Sequence, residues 1–248
     1  MKPKAGRKRL DLLLVERGCA ESTQKAMAMI LAGEVRVDGQ RAGKAGVAVA
    51  ENAQIEITSR AQKFVSRGGT KLEGALEDFA IDPAGCVCLD IGSSHGGFTD
   101  CLLQRGATRV YAVDVNVEQL DWKLRQDSRV VRIERNAREL SVADIPESVD
   151  LVMMDVSFIS VRRVIAPAMP LARASADFLI LIKPQFELRR EEVGTGGIVK
   201  DEKLHEKAIL AVREFAESVG LDCAGVRPSH LLGAEGNQEY FLHARKRP

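Results

Sequence analysis

Leu89-Asp90-Ile91-Gly92-Ser93-Ser94-His95-Gly96-Gly97-Phe98-Thr99 decides the fold of this chain. An apolar run that begins at Cys86 ends in Asp90-Ile91, breaks into a glycine-rich turn and resumes as a helix. Strand, tight turn and helix in that order open a βαβ unit. Glycines let the backbone approach a ligand closely, and the helix start offers free N–H groups. The spacing is G-x-x-x-G-G, so the dinucleotide fingerprint G-x-G-x-x-G is not matched, and the phosphate-loop lysine is absent. A carboxylate at Asp90 would repel a pyrophosphate. It suits a ligand that carries a cation and hydroxyl groups, as S-adenosylmethionine does.

Downstream, short apolar runs alternate with amphipathic segments. They are Arg109–Asp114, Val130–Ile133, Val149–Asp155 and Phe178–Lys183. Continuous apolar runs of this length predict a parallel sheet covered on both faces, with a hairpin near 221–228 and 238–245 closing it. The fold class is therefore α/β, a Rossmann-like, mostly parallel sheet of seven strands, over residues 84–248. In such sheets ligands bind beyond the carboxyl ends of the strands. Asp114 stands there, 24 residues after Asp90, where an acidic residue can hold ribose hydroxyls. Asp155 and Lys183 end two further strands. Lys183 follows an apolar run, and burial there disfavours the cation, so a neutral amine could take a proton from a hydroxyl. Each residue alone has a plainer reading: strand-end carboxylates commonly cap turns, and a strand-end lysine commonly snorkels.

Upstream, the first segment predicts a small α+β unit. Leu10, Leu13 and Leu14 start a helix that stops at Gly18, and Ser22 or Thr23 caps a second helix that stops at Gly33. Glu34–Val37 alternates as a strand and closes on Asp38-Gly39, and two more short strands lie around Val47–Val49 and Ile55–Ile57. The Gly68-Gly69 stretch after residue 58 marks a boundary. The expected organisation is a head at 1–60, a linker and leading helix at 61–83, and the α/β body.

The chain has 248 residues, 45% hydrophobic and 29% charged, which excludes disordered and collagen-like classes. Its net charge of +1 conceals +7 over residues 1–72 against −6 over the rest. A basic head on an acidic body suggests a polyanionic partner, although a solvated basic face reads the same way. The five cysteines are scattered and include no C-x-x-C pair, and the four histidines show no ligand spacing. No metal is expected, and the thiols are expected to be reduced in a cytoplasmic protein. No apolar run approaches the ~20 residues of a membrane span, and the basic N-terminus lacks signal-peptide features.

Two resemblances follow. Arg9-Leu10-Asp11, Gly18, Ser22, Ala26, Ile30, Gly33–Gly39 and Lys44 resemble the S4 RNA-binding domain, which implies RNA contacts from Arg7, Lys8, Arg9, Lys25, Arg36, Arg41 and Lys44. Ser66–Leu72, Leu89–Asp100, Tyr111–Val115, Met154–Ser160, Ile182–Glu187 and Gly196–Val199 resemble the TlyA family, the hemolysin A / FtsJ-like ribosomal RNA 2′-O-methyltransferases. That resemblance implies S-adenosylmethionine as cofactor, rRNA within ribosomal subunits as partner, and cytidine as target in 16S or 23S rRNA. It places a Lys-Asp-Lys-Glu tetrad on Lys71, Asp155, Lys183 and Glu239. It implies cofactor contacts from Asp90, Gly92, Ser93, Ser94, His95, Gly96, Gly97, Phe98, Asp114, Val115, Asn136 and Asp155, and an RNA contact from Arg67. His95 stands where the family usually has threonine, and the glycines usual after Asp114 are Asn116 and Glu118. Three competing readings are a non-catalytic ribosome assembly factor, base methylation, and a membrane-active hemolysin. Nothing amphipathic, basic and aromatic supports the last, since aromatics are only 4% of residues.

Overall fold

The computed structural model describes residues 6–57 and 63–248. The chain divides into two compact units, Met1–Gln62 and Lys63–Pro248. The expected boundary near 60 lies outside the described residues. The leading helix packs within the second unit rather than in a separate linker.

The first unit contains β1 (Arg7–Arg9), α1 (Leu10–Glu16), α2 (Thr23–Ala32), β2 (Val35–Val37), β3 (Gln40–Arg41), β4 (Ala48–Ala50) and β5 (Ile55–Ile57). Ser22 caps α2 by accepting from Lys25 N at 3.2 Å, and Gly33 ends the helix in the left-handed region. The two helices bury Leu10, Leu14, Ala26 and Ile30 against Val35. The three-stranded sheet runs β3-β2-β5. The basic stretch Arg7–Arg9, which carries no hydrophobic signal, forms a strand of its own and pairs antiparallel with β4.

The second unit contains α3 (Arg67–Asp78), β6 (Val87–Ile91), α4 (Gly97–Gln104), β7 (Arg109–Asp114), α5 (Trp122–Gln126), β8 (Val130–Glu134), β9 (Val149–Met154), α6 (Arg162–Ala168), β10 (Ala172–Ile182), α7 (Pro184–Glu187), α8 (Glu202–Ser218), β11 (Leu221–Pro228) and β12 (Tyr240–Lys246). Seven strands form one sheet in the order β11-β12-β10-β9-β6-β7-β8. Six run in one direction, and β12 is antiparallel to both its neighbours. This is the mostly parallel seven-stranded sheet that the sequence predicts.

Alternate residues of each strand feed opposite faces. Phe178, Ile180 and Ile182 join Val152 and Met154 in one core layer. Leu179 and Leu181 join Leu151 and Met153 in the other, which α3 and α4 cover. Each such side chain is fully or nearly fully buried and contributes roughly 1.5–3 kcal/mol. β10 is longer than its apolar run suggests, because Ala172–Ala176 extends it with exposed Arg173 and Ser175. The carboxyl ends of β6, β7, β9 and β10 converge, and the turns after them build the site.

Candidate active site

The turn after β6 starts at Gly92, whose φ is +89°. A Cβ there would meet the Asp155 carbonyl oxygen at 2.2 Å, and Asp155 N donates to the Ile91 carbonyl at 2.9 Å. Only glycine lets the end of β9 lie this close to the β6 turn. Gly96, φ +90°, serves packing instead: its Cβ position lies 2.3 Å from the Leu124 side chain.

Two cavities meet at this point and share Gly92, Ser94 and Asp155. The first encloses about 190 Å³ and is walled by α3 and the β6–α4 turn. Ser66, Arg67, Lys71, Ser93, His95 and Phe98 line it, together with Gly97, Leu232 and Ala234. The second encloses about 370 Å³ beyond β7, β8 and β9. Asp114, Gln119, Arg135 and Asn136 give it polar contacts, and Val115, Val156, Phe158 and Ile159 give it apolar walls.

Two ion pairs each place one member on the first cavity, Lys71 and Asp155, while their partners Glu239 and Lys183 line neither cavity. Lys71 Nζ lies 2.5 Å from Glu239 Oε2, with side chains 11% and 4% exposed. Lys183 Nζ lies 2.5 Å from Asp155 Oδ1 and donates to Ser157 Oγ at 2.9 Å. The four residues that the family resemblance assigns to a tetrad therefore form two buried or half-buried pairs. Asp155 and Lys71 line the same cavity. Asp155 gives the Lys183 amine a carboxylate partner in this half-buried place.

The residues expected to hold a cofactor divide between the cavities. Gly92, Ser93, Ser94, His95, Gly97, Phe98 and Asp155 line the first cavity, and Asp114, Val115 and Asn136 line the second. Asp90 and Gly96, expected among them, line neither. Asp90 is wholly buried and accepts from Thr99 Oγ1 at 2.6 Å. Burial pushes its carboxyl up to about 7, against the Thr99 hydrogen bond, which favours the ionised form. Asp114 accepts from Ser94 N at 3.0 Å and from Asn116 N at 3.1 Å, which fixes its carboxylate at the cavity edge. Ser93 Oγ is buried and has no hydrogen-bond partner among the described residues. Carboxylates and amides beside apolar walls fit a nucleoside, and the serine-rich turn with Asp155 fits a cationic, polar tail.

A family model described as FtsJ-like methyltransferase matches residues 64–246, and the S4 domain model matches residues 8–55. Over 243 residues the chain is 47% identical to the 16S/23S rRNA (cytidine-2′-O)-methyltransferase TlyA of Mycobacterium tuberculosis, covering 97% of this chain and 91% of that one. The chain belongs to the TlyA family. Another relative is Hemolysin A of Brachyspira hyodysenteriae, 41% identical over 95% of this chain and 98% of that one. A solved structure from Streptococcus thermophilus, described as a hemolysin, superposes with a TM-score of 0.76 at 36% identity, covering 97% of this chain and 89% of that one. Fibrillarin of Methanococcus jannaschii shares the fold, at a TM-score of 0.57 and 16% identity over 79% of this chain and 78% of that one.

Within this TlyA-family chain the basic residues fall in two places. Arg7, Arg9, Lys25, Arg36, Arg41 and Lys44 are exposed on the first unit, and Lys8 is half-buried. Several are engaged: Arg7 Nη2 donates to the Ala48 carbonyl at 2.6 Å, Lys8 pairs with Glu16, and Arg9 pairs with Asp11 at 2.7 Å. Arg67 belongs to the second unit, lines the first cavity and donates to the Leu232 carbonyl at 3.1 Å.

The sequence singled out neither Ser157, the hydroxyl on Lys183, nor the cavity walls at Ser66, Gln119, Arg135 and Leu232. Ser157 sits two residues beyond Asp155 and inside the Met154–Ser160 stretch, the signals that could have marked it. Among the described residues no His, Cys, Asp or Glu group is arranged to hold a metal, and no helix is long and apolar enough to cross a membrane.

Proposed function

We propose that this protein methylates the ribose 2′-hydroxyl of cytidine in 16S or 23S rRNA, with S-adenosylmethionine as the methyl donor. The observation that carries the proposal is the Lys183–Asp155 pair, whose Asp155 lines both of two adjoining cavities. Two of the curated relatives are named as cytidine-2′-O methyltransferases of 16S/23S and of 23S rRNA, and the S4 unit supplies a class of domain that meets structured RNA.

Asp114, Asn136 and the apolar walls of the second cavity would hold the adenosyl part, and the Ser93–His95 turn with Asp155 would hold the methionine part. When bound, S-adenosylmethionine supplies a methyl carbon made electrophilic by the adjacent sulfonium. Lys183 Nζ, in its neutral amine form, takes the proton from the attacking hydroxyl. Asp155 and Ser157 hold that amine in place, and the Asp155 carboxylate also faces the positive end of the donor. Lys71, fixed by Glu239, orients the ribose. A hydroxyl needs such a base, whereas an already basic ring nitrogen would not, so the lysine favours ribose over base methylation. The acceptor nucleotide must be unpaired or turned out of its helix to enter the cavity. The polyanionic partner accounts for the +7 charge of residues 1–72.

The test is transfer from methyl-labelled S-adenosylmethionine to rRNA, followed by alkaline hydrolysis. Label retained in an alkali-resistant dinucleotide supports ribose methylation, because the methylated 2′-oxygen can no longer cleave its phosphodiester. Label released as a mononucleotide contradicts it and favours a base product. RNA binding with no transfer favours an assembly factor.

A further inference from the structure

Glu187 ends α7, four residues beyond Lys183, and its side chain is 1% exposed. Its carboxylate accepts from Ser160 Oγ at 2.5 Å, from Val161 N at 2.7 Å and from Arg162 Nε at 3.2 Å. Arg162 Nη2 also donates to the Glu187 carbonyl at 3.4 Å. All these donors come from one short stretch, at the start of α6 and just beyond Asp155.

Two segments that leave neighbouring parallel strands are thus joined at two places. Residues 155–162 follow β9 and residues 183–187 follow β10. At the cavity the joint is Lys183 against Asp155 and Ser157. Away from the cavity it is Glu187 against Ser160, Val161 and Arg162. Between the joints lies Phe158, 88% exposed and at φ +67°, its ring centroid 5.5 Å from that of Phe186. A phenylalanine holds that sparsely populated backbone conformation only where its flanks are fixed. Phe158 and Ile159 also wall the second cavity. A buried carboxylate is costly unless its partners converge on it, and here three of them do.

We infer that Glu187 is a positioning residue for methyl transfer: it pins the loop after Asp155 to the turn after Lys183, and so sets Asp155 and Ser157 against the Lys183 amine. The inference rests on the proposed role of Lys183. Glu187 lines neither cavity and touches no reacting group; it acts through geometry, where a displacement of about 1 Å costs roughly 100-fold in rate.

The experiment compares the full-length wild type with Glu187→Ala, Glu187→Gln and Ser160→Ala, with Lys183→Ala as reference. Single-turnover transfer rate, RNA affinity, cofactor affinity and melting temperature are measured for each. Glu187→Ala is expected to lower the transfer rate roughly 10- to 100-fold, while both affinities stay within about threefold. Glu187→Gln keeps an acceptor for Val161 N, and is expected to recover the rate to within about fivefold of wild type. Ser160→Ala should lower the rate in the same direction by less, and the double variant should not be additive.

A wild-type rate in Glu187→Ala would overturn the inference. So would a loss that merely tracks weakened binding or a smaller folded fraction and is not restored by glutamine. If Glu187→Ala does not fold, Ser160→Ala decides, and an unchanged rate there overturns it. Full activity in Lys183→Ala would instead sink the base assignment, and the inference with it, an outcome the Glu187 variants cannot mimic.

Discussion

Lys183 Nζ and Asp155 Oδ1 lie 2.5 Å apart, on the turns that leave two neighbouring parallel strands. The pair is 10% and 22% exposed, so it is shielded from bulk water yet open to a cavity through Asp155. Parallel pairing sets this arrangement. Met154 sits opposite Ile180 in the ladder, so both strands deliver their next polar residues to the same edge of the sheet.

Lys183→Ala is expected to lower methyl transfer by about 10²–10⁴-fold, the range for removal of a general base. Its affinity for S-adenosylmethionine should stay within about threefold, under 1 kcal/mol. Calorimetry for the cofactor and single-turnover kinetics for transfer check the two halves separately.

The Lys71–Glu239 pair is buried deeply enough that breaking it from one side costs stability. Lys71→Ala leaves the Glu239 carboxylate without its counter-charge and is expected to destabilise the fold by about 3–5 kcal/mol. Lys71→Met combined with Glu239→Gln should regain most of that stability and remain inactive. Urea unfolding of the three variants measures the first effect, and transfer assays the second.

Asp90 makes the fold sensitive to pH. Its carboxyl is pushed from 3.8 up to about 7 by burial, so between those values the folded state holds a proton that the unfolded state has released. Stability from this group is therefore present below about pH 4 and is lost as pH rises to about 7. Asp90→Asn keeps an acceptor for Thr99 and carries no charge. It is expected to be more stable than wild type at pH 8, by up to a few kcal/mol, with the gap closing toward pH 4. Thermal unfolding across that range checks it.

Gly92→Ala would set a methyl group against the Asp155 carbonyl oxygen, in a backbone conformation that alanine disfavours. The ends of β6 and β9 must then separate at the point where the cavities meet. Loss of cofactor affinity of at least about tenfold is expected, larger than for Gly236→Ala, where the added Cβ meets nothing within 4 Å.

The sheet was legible because β6, β7, β9 and β10 carry buried apolar runs that end in or next to polar residues, which the structure brings to one edge, whereas edge strand β8 is largely exposed. Where the hydrophobic signal was missing, the reading failed. β1 is made of Arg7, Lys8 and Arg9, and is held by ladder bonds to β4 rather than by apolar side chains. The first half of β10 carries only small residues to the core, Ala172 and Ala176, between exposed Arg173 and Ser175, so its apolar signal is weak. Lys71 and Glu239 lie 168 positions apart, and nothing local marks either one, so only the family resemblance named them. Glu187 and Ser157 acquire their meaning from contacts between segments after different strands, which no local pattern encodes.

The basic head should bind RNA through its phosphates. Replacing Lys25, Arg36 and Lys44 together by alanine is expected to reduce the slope of log affinity against log salt by about 0.7–0.9 for each phosphate that the variant no longer neutralises. Fluorescence anisotropy with an rRNA fragment across a salt series measures it, and an unchanged slope would place the RNA-binding surface elsewhere.

The most direct test of the central claim is incubation of wild type and Lys183→Ala with S-adenosylmethionine and undermodified small and large ribosomal subunits, with the nucleosides read by mass spectrometry. 2′-O-Methylcytidine is expected from the wild type alone. A base-methylated nucleoside, an equally active Lys183→Ala, or no product from subunits and naked rRNA by a protein that binds both cofactor and RNA, would contradict it.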